Sequence, residues 1–190
     1  MKKNLGSLLA LYPTPLVVLG VMNGNKPNWT LLAHMGTIGH DRLMISVMKE
    51  HLADKLIHAT KAMSLNIVTD DFLEQADFVG CNSGIKVDKS AIFPWKMGEH
   101  GTPLMDDAKV ILECTVDDLY NHPTFDNFIV QIKATWAEDT ILNKDGKIDY
   151  NVFKPVLFEF PSYSYIKTGE ILGPCRQMHK TSPNEDKLVL

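Results

Sequence analysis

Ser83-Gly84-Ile85-Lys86-Val87-Asp88-Lys89 places a hydroxyl, a glycine and two lysines in one short stretch, a combination suited to holding a small anion. Glycine tolerates the positive φ that turns backbone N–H groups toward a ligand, the serine hydroxyl adds a donor, and the ammonium groups supply charge for a phosphate. Solvated surface loops share this composition, so the pattern acquires meaning only from its surroundings. A second place of the same kind is Ser46-Val47-Met48-Lys49-Glu50-His51-Leu52-Ala53, where an apolar run passes into a helical pattern. A helix N-terminus presents unpaired N–H groups and the positive end of the helix dipole, and a lysine just before it adds to that attraction. In the stretch Asn28 to Gly36, period two aligns Asn28, Thr30, Leu32 and His34 on one face and Trp29, Leu31, Ala33 and Met35 on the other. The second of these faces is core. The polar groups of the first form either a solvent face or one wall of a ligand groove.

The elements that must position these residues are readable from punctuation and period. Leu16 to Met22 is apolar and β-branched, Asn23-Gly24 signals a two-residue hairpin, and Trp29 to Met35 returns as a second strand. Leu43 to Met48 predicts a third strand. His51 to Ala62 predicts a helix, with Leu52, Leu56, Ala59 and Met63 recurring as an apolar stripe. Ser64 to Val68 is a short strand, and Asp70-Asp71 supply an N-cap for a second helix carrying Phe72, Ala76 and Val79. Pro94, Gly98, Gly101 and Pro103 mark an irregular segment between Phe93 and Met105. Two long alternating strands follow, around Val110 to Val116 and Phe128 to Trp136, joined at Asn121-His122-Pro123-Thr124. Alternating strands with two inserted helical segments predict a mainly β fold, a closed or partly closed antiparallel barrel.

At 190 residues the chain fits one domain, read here as 1–180, with 181–190 a frayed tail. A formal net charge of −4 argues against a nucleic-acid partner, which requires a basic face. Cys81, Cys114 and Cys175 lack the short spacings of zinc or redox dithiols, and reduced thiols point to the cytoplasm. The start Met1-Lys2-Lys3 followed by Leu8 to Leu11 is interrupted by Pro13 and Pro15 before any small-residue cleavage site, and no run reaches the roughly 18 apolar residues of a membrane span. We therefore expect an unprocessed protein with no membrane association.

Several site patterns fail on inspection. Asn143 to Tyr150 imitates a calcium loop, but aligning Gly146 with the required glycine puts Ile141 and Val152 at ligand positions, so a turn explains it better. The seven histidines show no His-Glu-x-x-His or His-x-His spacing, and no metal is expected. Neither a Gly-x-Ser-x-Gly elbow nor a Gly-x-Gly-x-x-Gly fingerprint occurs.

The order Tyr12 to Gly20, Lys26 to His34 and Leu43 to Lys49, followed by the helix and the Ser83 loop, resembles the flavin reductase-like family, the flavoredoxin-like branch above all; the resemblance runs from Tyr12 to about Gly173. It implies an FMN-binding split barrel with Greek-key-like antiparallel strands, forming a homodimer. It also implies transfer of reducing equivalents from NAD(P)H or a redox protein partner, through FMN rather than FAD, to an acceptor. By the same resemblance, Asn28, Thr30, Ala33 and His34 approach the isoalloxazine; Ser46, Met48, Lys49 and His51 serve the phosphate, together with Ser83, Gly84 and Lys86. Lys89 would sit at the pyrimidine edge, where a cation stabilises the anionic reduced ring. Tyr163 or Tyr165 would reach a ring face, and His122, near flavin or nicotinamide, is the one catalytic candidate. Two departures stand out: Ala53 where the family usually has a hydroxyl, and His34 where close members often have tryptophan. Two other readings remain open, a flavoredoxin-type electron carrier without NAD(P)H activity and a non-catalytic split-barrel module that binds a small anion.

Overall fold

The computed structural model describes residues 1–175 and 177, so the expected tail at 181–190 lies outside the described residues. In chain order the strands and helices are β1 (Thr14–Pro15), β2 (Val17–Asn23), β3 (Lys26–Leu32), β4 (Met35–Thr37), β5 (Arg42–Met48), α1 (Leu52–Thr60), β6 (Ala62–Ile67), α2 (Leu73–Cys81), β7 (Trp95–Met97), β8 (Pro103–Met105), β9 (Val110–Asn121), β10 (Phe125–Ala137), β11 (Val156–Glu159) and β12 (Ser164–Lys167). Seven strands form one antiparallel sheet in the order β3-β2-β6-β9-β10-β5-β4. Its two edge strands, β3 and β4, follow each other in sequence with only Ala33 and His34 between them. The sheet must therefore curl until its edges meet, giving the half-barrel with two short helices expected of a split barrel. The Ser46 N–H donates to the His34 carbonyl at 2.9 Å, which ties this seam to β5.

Two cores result, one on each side of the sheet. Inside the curl, Val17, Leu19, Val21, Ile45, Val47, Met63, Leu65, Phe128 and Val130 pack with Ala53 and Ile57 of α1. Outside, Leu16, Val18 and Trp29 pack with Val68, Phe72, Ala76 and Val79 around α2 and with Phe93, Leu104 and Met105. Strand β2 is thus buried on both faces, which explains its unbroken apolar run. Trp29 is fully buried, and removing roughly 150–250 Å² of aromatic surface from water is worth about 4–6 kcal/mol.

Local differences from expectation have local causes. The first hairpin turns at Gly24-Asn25, with Asn23 opposite Lys26, because Gly24 takes φ +64° at the first central position. Helix α1 buries Ala53 and Ile57 rather than a stripe through Ala59, and it stops at Lys61, which adopts φ 56°, so Met63 belongs to β6. Asp70 and Asp71 begin a 3₁₀ turn (Asp70–Phe72) but do not cap it; they pair instead with Lys167 and Lys109. The segment expected to be irregular contains the β7–β8 hairpin. Residues 143–150 form a turn closed by a single bridge, Leu142 to Ile148, rather than a hairpin between long strands.

Candidate functional site

The seam between the barrel edges opens into a cleft with two contiguous halves that share Thr30 and His51. One half, about 280 Å³, is lined by Leu31, Leu32, Ala33 and His34 of the β3–β4 connection, by Ser46, Val47 and Met48 of β5, and by Phe125 and Phe160. The other, about 200 Å³, is lined by Asn28, by Leu52 and Ala53 at the start of α1, and by Gly80 to Gly84 with Lys89.

The first half is aromatic. The His34 ring lies 6.0 Å from Phe125, 5.6 Å from Phe160 and 6.5 Å from Tyr12, centroid to centroid, and Tyr12 stacks on Phe160 at 5.8 Å. Burial among these rings pulls the His34 pKa below that of a free imidazole, so the ring is neutral at physiological pH and offers one donor and one acceptor. The Ser46 hydroxyl is held by Asn127, to whose Oδ1 it donates at 2.6 Å.

The second half is more polar. His51 is the N-cap of α1, with extended backbone angles, but its side chain makes no capping hydrogen bond. The amides of the first helical turn, at Leu52 and Ala53, thus reach the cleft without a side-chain cap, the arrangement in which helix N-termini bind anions. Opposite stands the Ser83 loop, in which Ser83 Oγ accepts from the Ile85 N–H at 3.3 Å and the Ser83 carbonyl accepts from the Lys86 and Val87 N–H groups. Gly84 is absent from the positive-φ residues, so its role differs from the one its sequence context predicts. It is required by space: a Cβ there would lie 2.3 Å from Asn28 Oδ1 and 3.3 Å from Leu52 Cδ2.

Asn28, Thr30, Ala33, His34, Ser46, Met48, His51, Ser83, Gly84 and Lys89 therefore converge on the cleft. Five other expected residues do not line it: Lys49, Lys86, His122, Tyr163 and Tyr165. Lys49 donates to Asn121 Oδ1 at 2.8 Å and pairs with Asp126 at 3.4 Å, because two acceptors on the neighbouring strands hold it there. Lys86 lines the adjoining recess with Lys26, Pro27 and Val87. His122 is exposed in the β9–β10 turn, its Nδ1 3.2 Å from the Thr124 hydroxyl. Tyr163, 70% exposed, packs on Phe160 at 5.0 Å; Phe160 itself is the C-terminal aromatic that reaches the cleft, while the Tyr165 hydroxyl donates to Asp77 Oδ1. Lys89 lines the polar half but is only 3% exposed, and its Nζ donates to the Val79 and Asn82 carbonyls at 2.7 and 2.8 Å. It closes the C-terminal end of α2 rather than standing as a free charge. Burial brings its pKa down to about 8, against the pull of the two carbonyl acceptors.

Phe125 and Phe160 are cleft residues that sequence reasoning missed. Phe125 sits at a turn–strand boundary, outside any clear period, and Phe160, which reads as core in the run Leu157-Phe158-Glu159-Phe160, lies just past β11.

A flavin reductase like domain profile matches residues 9–164. The chain belongs to the flavin reductase-like family. Among solved structures, this flavin reductase-like chain is similar to a flavoredoxin from Methanosarcina acetivorans, at 28% identity and TM-score 0.89, over 95% of this chain and 98% of that one. It is also similar to the flavoredoxin of Desulfovibrio vulgaris (Miyazaki F), at 27% identity and TM-score 0.88, over 94% and 100% of the two chains. An FMN-binding protein from Thermus thermophilus shares the fold at 19% identity and TM-score 0.77, over 92% and 97%. No curated protein sequence matches the chain. Among the described residues, no helix of this family member is long and apolar enough to cross a membrane.

Proposed function

We propose that this chain binds FMN and relays reducing equivalents from NAD(P)H or a redox protein to an acceptor, as a homodimer in the cytoplasm. The observation that carries this reading is the two-part cleft, an aromatic chamber joined to an uncapped helix N-terminus, which matches a planar ring system bearing a single phosphate. Gly84, having no side chain, lets the Ser83 loop close onto Asn28 and Leu52, which sets Ser83 in the polar half of the cleft. When bound, the flavin supplies reversible two-electron chemistry that none of these side chains can perform.

The side chains do the remaining work. His34, Phe125 and Phe160 exclude water from the ring system, and the neutral imidazole adds one hydrogen-bonding edge. Thr30, buried where the halves meet, and Asn28, buried in the polar half, orient the polar edge. The first-turn amides of α1 and the Ser83 hydroxyl take the phosphate, a task for which Ala53 contributes only backbone. Lys89 holds the loop against α2 and keeps its remaining donor for the cleft.

A second reading, an electron carrier of flavoredoxin type without NAD(P)H activity, is favoured by the two flavoredoxins among the similar structures. The test is to purify the protein and identify acid-released chromophore by chromatography, expecting FMN; dominant FAD, or a colourless protein that fails to quench FMN fluorescence, would refute the proposal. Stopped-flow oxidation of NADH or NADPH then separates the two redox readings. His34→Ala is expected to weaken FMN binding by roughly tenfold with the fold intact, whereas His34→Trp should shift the bound flavin spectrum by enlarging the stacking surface. Wild-type affinity and spectrum in both folded variants would remove His34 from the site.

A further inference from the structure

Asp126 follows the cleft residue Phe125 on β10, and Asp54 follows the cleft residue Ala53 on α1. Their carboxylates turn instead into a separate cluster with His58, one helical turn beyond Asp54, and one ligand atom from each of the three lies within 4.8 Å of the others. The Asp54 and Asp126 side chains are only 7% and 6% exposed, yet in each the Oδ1 oxygen is buried and accepts no hydrogen bond among the described residues. Two buried carboxylates side by side repel, and each unsatisfied oxygen forfeits its hydration. Two basic groups face the pair, both nearer to Asp126 than to Asp54. His58 Nε2 lies 2.6 Å from Asp126 Oδ2 and 3.9 Å from Asp54 Oδ2, and Lys49 Nζ, whose hydrogen bond goes to Asn121, stands 3.4 Å from Asp126 Oδ1.

We propose that Asp54, His58 and Asp126 form a binding site for a divalent transition-metal ion, Zn²⁺ being the best match. Two carboxylates and one imidazole are a three-ligand set that zinc accepts, with a fourth position left for water. Tetrahedral bonds of about 2.0–2.1 Å place ligand atoms roughly 3.3 Å apart, so rotations of the His58 and Asp54 side chains bring the cluster into range. Calcium and magnesium fit poorly, since they require about six or more oxygens. His58 is 38% exposed on its side chain and provides the entry path. On binding, Nε2 gives its lone pair to the ion in place of its contact with Asp126, releasing any proton it carries, and both carboxylates gain a cation. The site does not depend on FMN binding.

The experiment is calorimetric titration of the purified full chain with ZnCl₂, paired with the visible spectrum of the Co²⁺-loaded protein. The expected result is one Zn²⁺ per chain and tetrahedral Co²⁺ bands in the wild type, with Asp126→Asn and His58→Ala each weakening binding by at least about tenfold and losing the bands. His58→Ala, at a half-exposed helix position, keeps the test valid should Asp126→Asn fail to fold. Failure of the folded wild type to bind Zn²⁺, or unchanged Zn²⁺ affinity in His58→Ala, would overturn the proposal and leave the cluster as an ion-pair network.

Discussion

Gly84→Val is expected to weaken FMN binding by about ten- to hundredfold while lowering the melting temperature little. Even a Cβ at this position would press to 2.3 Å from Asn28 Oδ1, and a branched side chain would force the Ser83 loop away from Asn28 and Leu52, where the cleft meets its neighbouring recess. The loop can yield outward, so the cost falls on the bound state. Overpacking of about 1–3 kcal/mol corresponds to that range of affinity at roughly 1.4 kcal/mol per tenfold. Fluorescence titration with FMN and a thermal melt by circular dichroism measure the two quantities separately. Wild-type affinity in a folded Gly84→Val protein would mean that the ligand does not depend on the close seating of the Ser83 loop against Asn28.

Glu113→Ala should produce the largest loss of stability. The residue is fully buried in β9, where it accepts from the Thr102 hydroxyl at 2.7 Å, the Trp136 indole N–H at 2.8 Å and the His100 N–H at 3.1 Å. Gly98 packs so closely that a Cβ there would lie 2.3 Å from Glu113 Oε2. One carboxylate thus fastens the β7–β8 hairpin to β9 and β10. Removing it strands three donors at about 1–3 kcal/mol each, partly relieved at half-exposed Trp136, for a net cost of about 3–5 kcal/mol. At roughly 2–4 °C per kcal/mol the melting temperature should fall by about 6–20 °C, as calorimetry would show. Burial alone would raise the Glu113 carboxyl, but the Thr102, Trp136 and His100 donors outweigh it and hold the pKa below the usual range. Its contribution is therefore complete above the ordinary glutamate value of about 4.3 and is lost as pH falls through the lower folded value. Glu113→Gln should lack that acid-dependent component; equal melting temperatures for wild type and Glu113→Ala at neutral pH would contradict this role.

Much of the fold was legible because its signals are local. Period two along Asn28, Thr30 and His34 placed these residues on one face before any tertiary contact was known, and the hairpin register that carries them needed only a turn at Gly24. What escaped were properties set by distant partners. Lys49 and Lys89 look alike as surface cations, but Asn121 and Asp126 hold one beside the barrel wall, while two helix carbonyls bury the other. Gly84 looked like a conformational glycine and proved to be a steric one, a distinction that depends on Asn28, 56 positions away by number. Phe160 reads as core in the run Leu157-Phe158-Glu159-Phe160, but it lies just past β11 and lines the cleft, a difference set by its distant partners His34 and Tyr12.

The meeting of β3 and β4 at the barrel seam also orders events in time. These strands are sequence neighbours, yet joining their edges requires β2 to find β6, β6 to find β9 and β10 to find β5, pairings that close long loops. Such nonlocal contacts are slow to form, and the seam can close only after them. The cleft is therefore expected to be completed late in folding. A ligand held there should then act as a latch on the finished barrel, lengthening the lifetime of the native state by slowing its unfolding rather than by speeding folding.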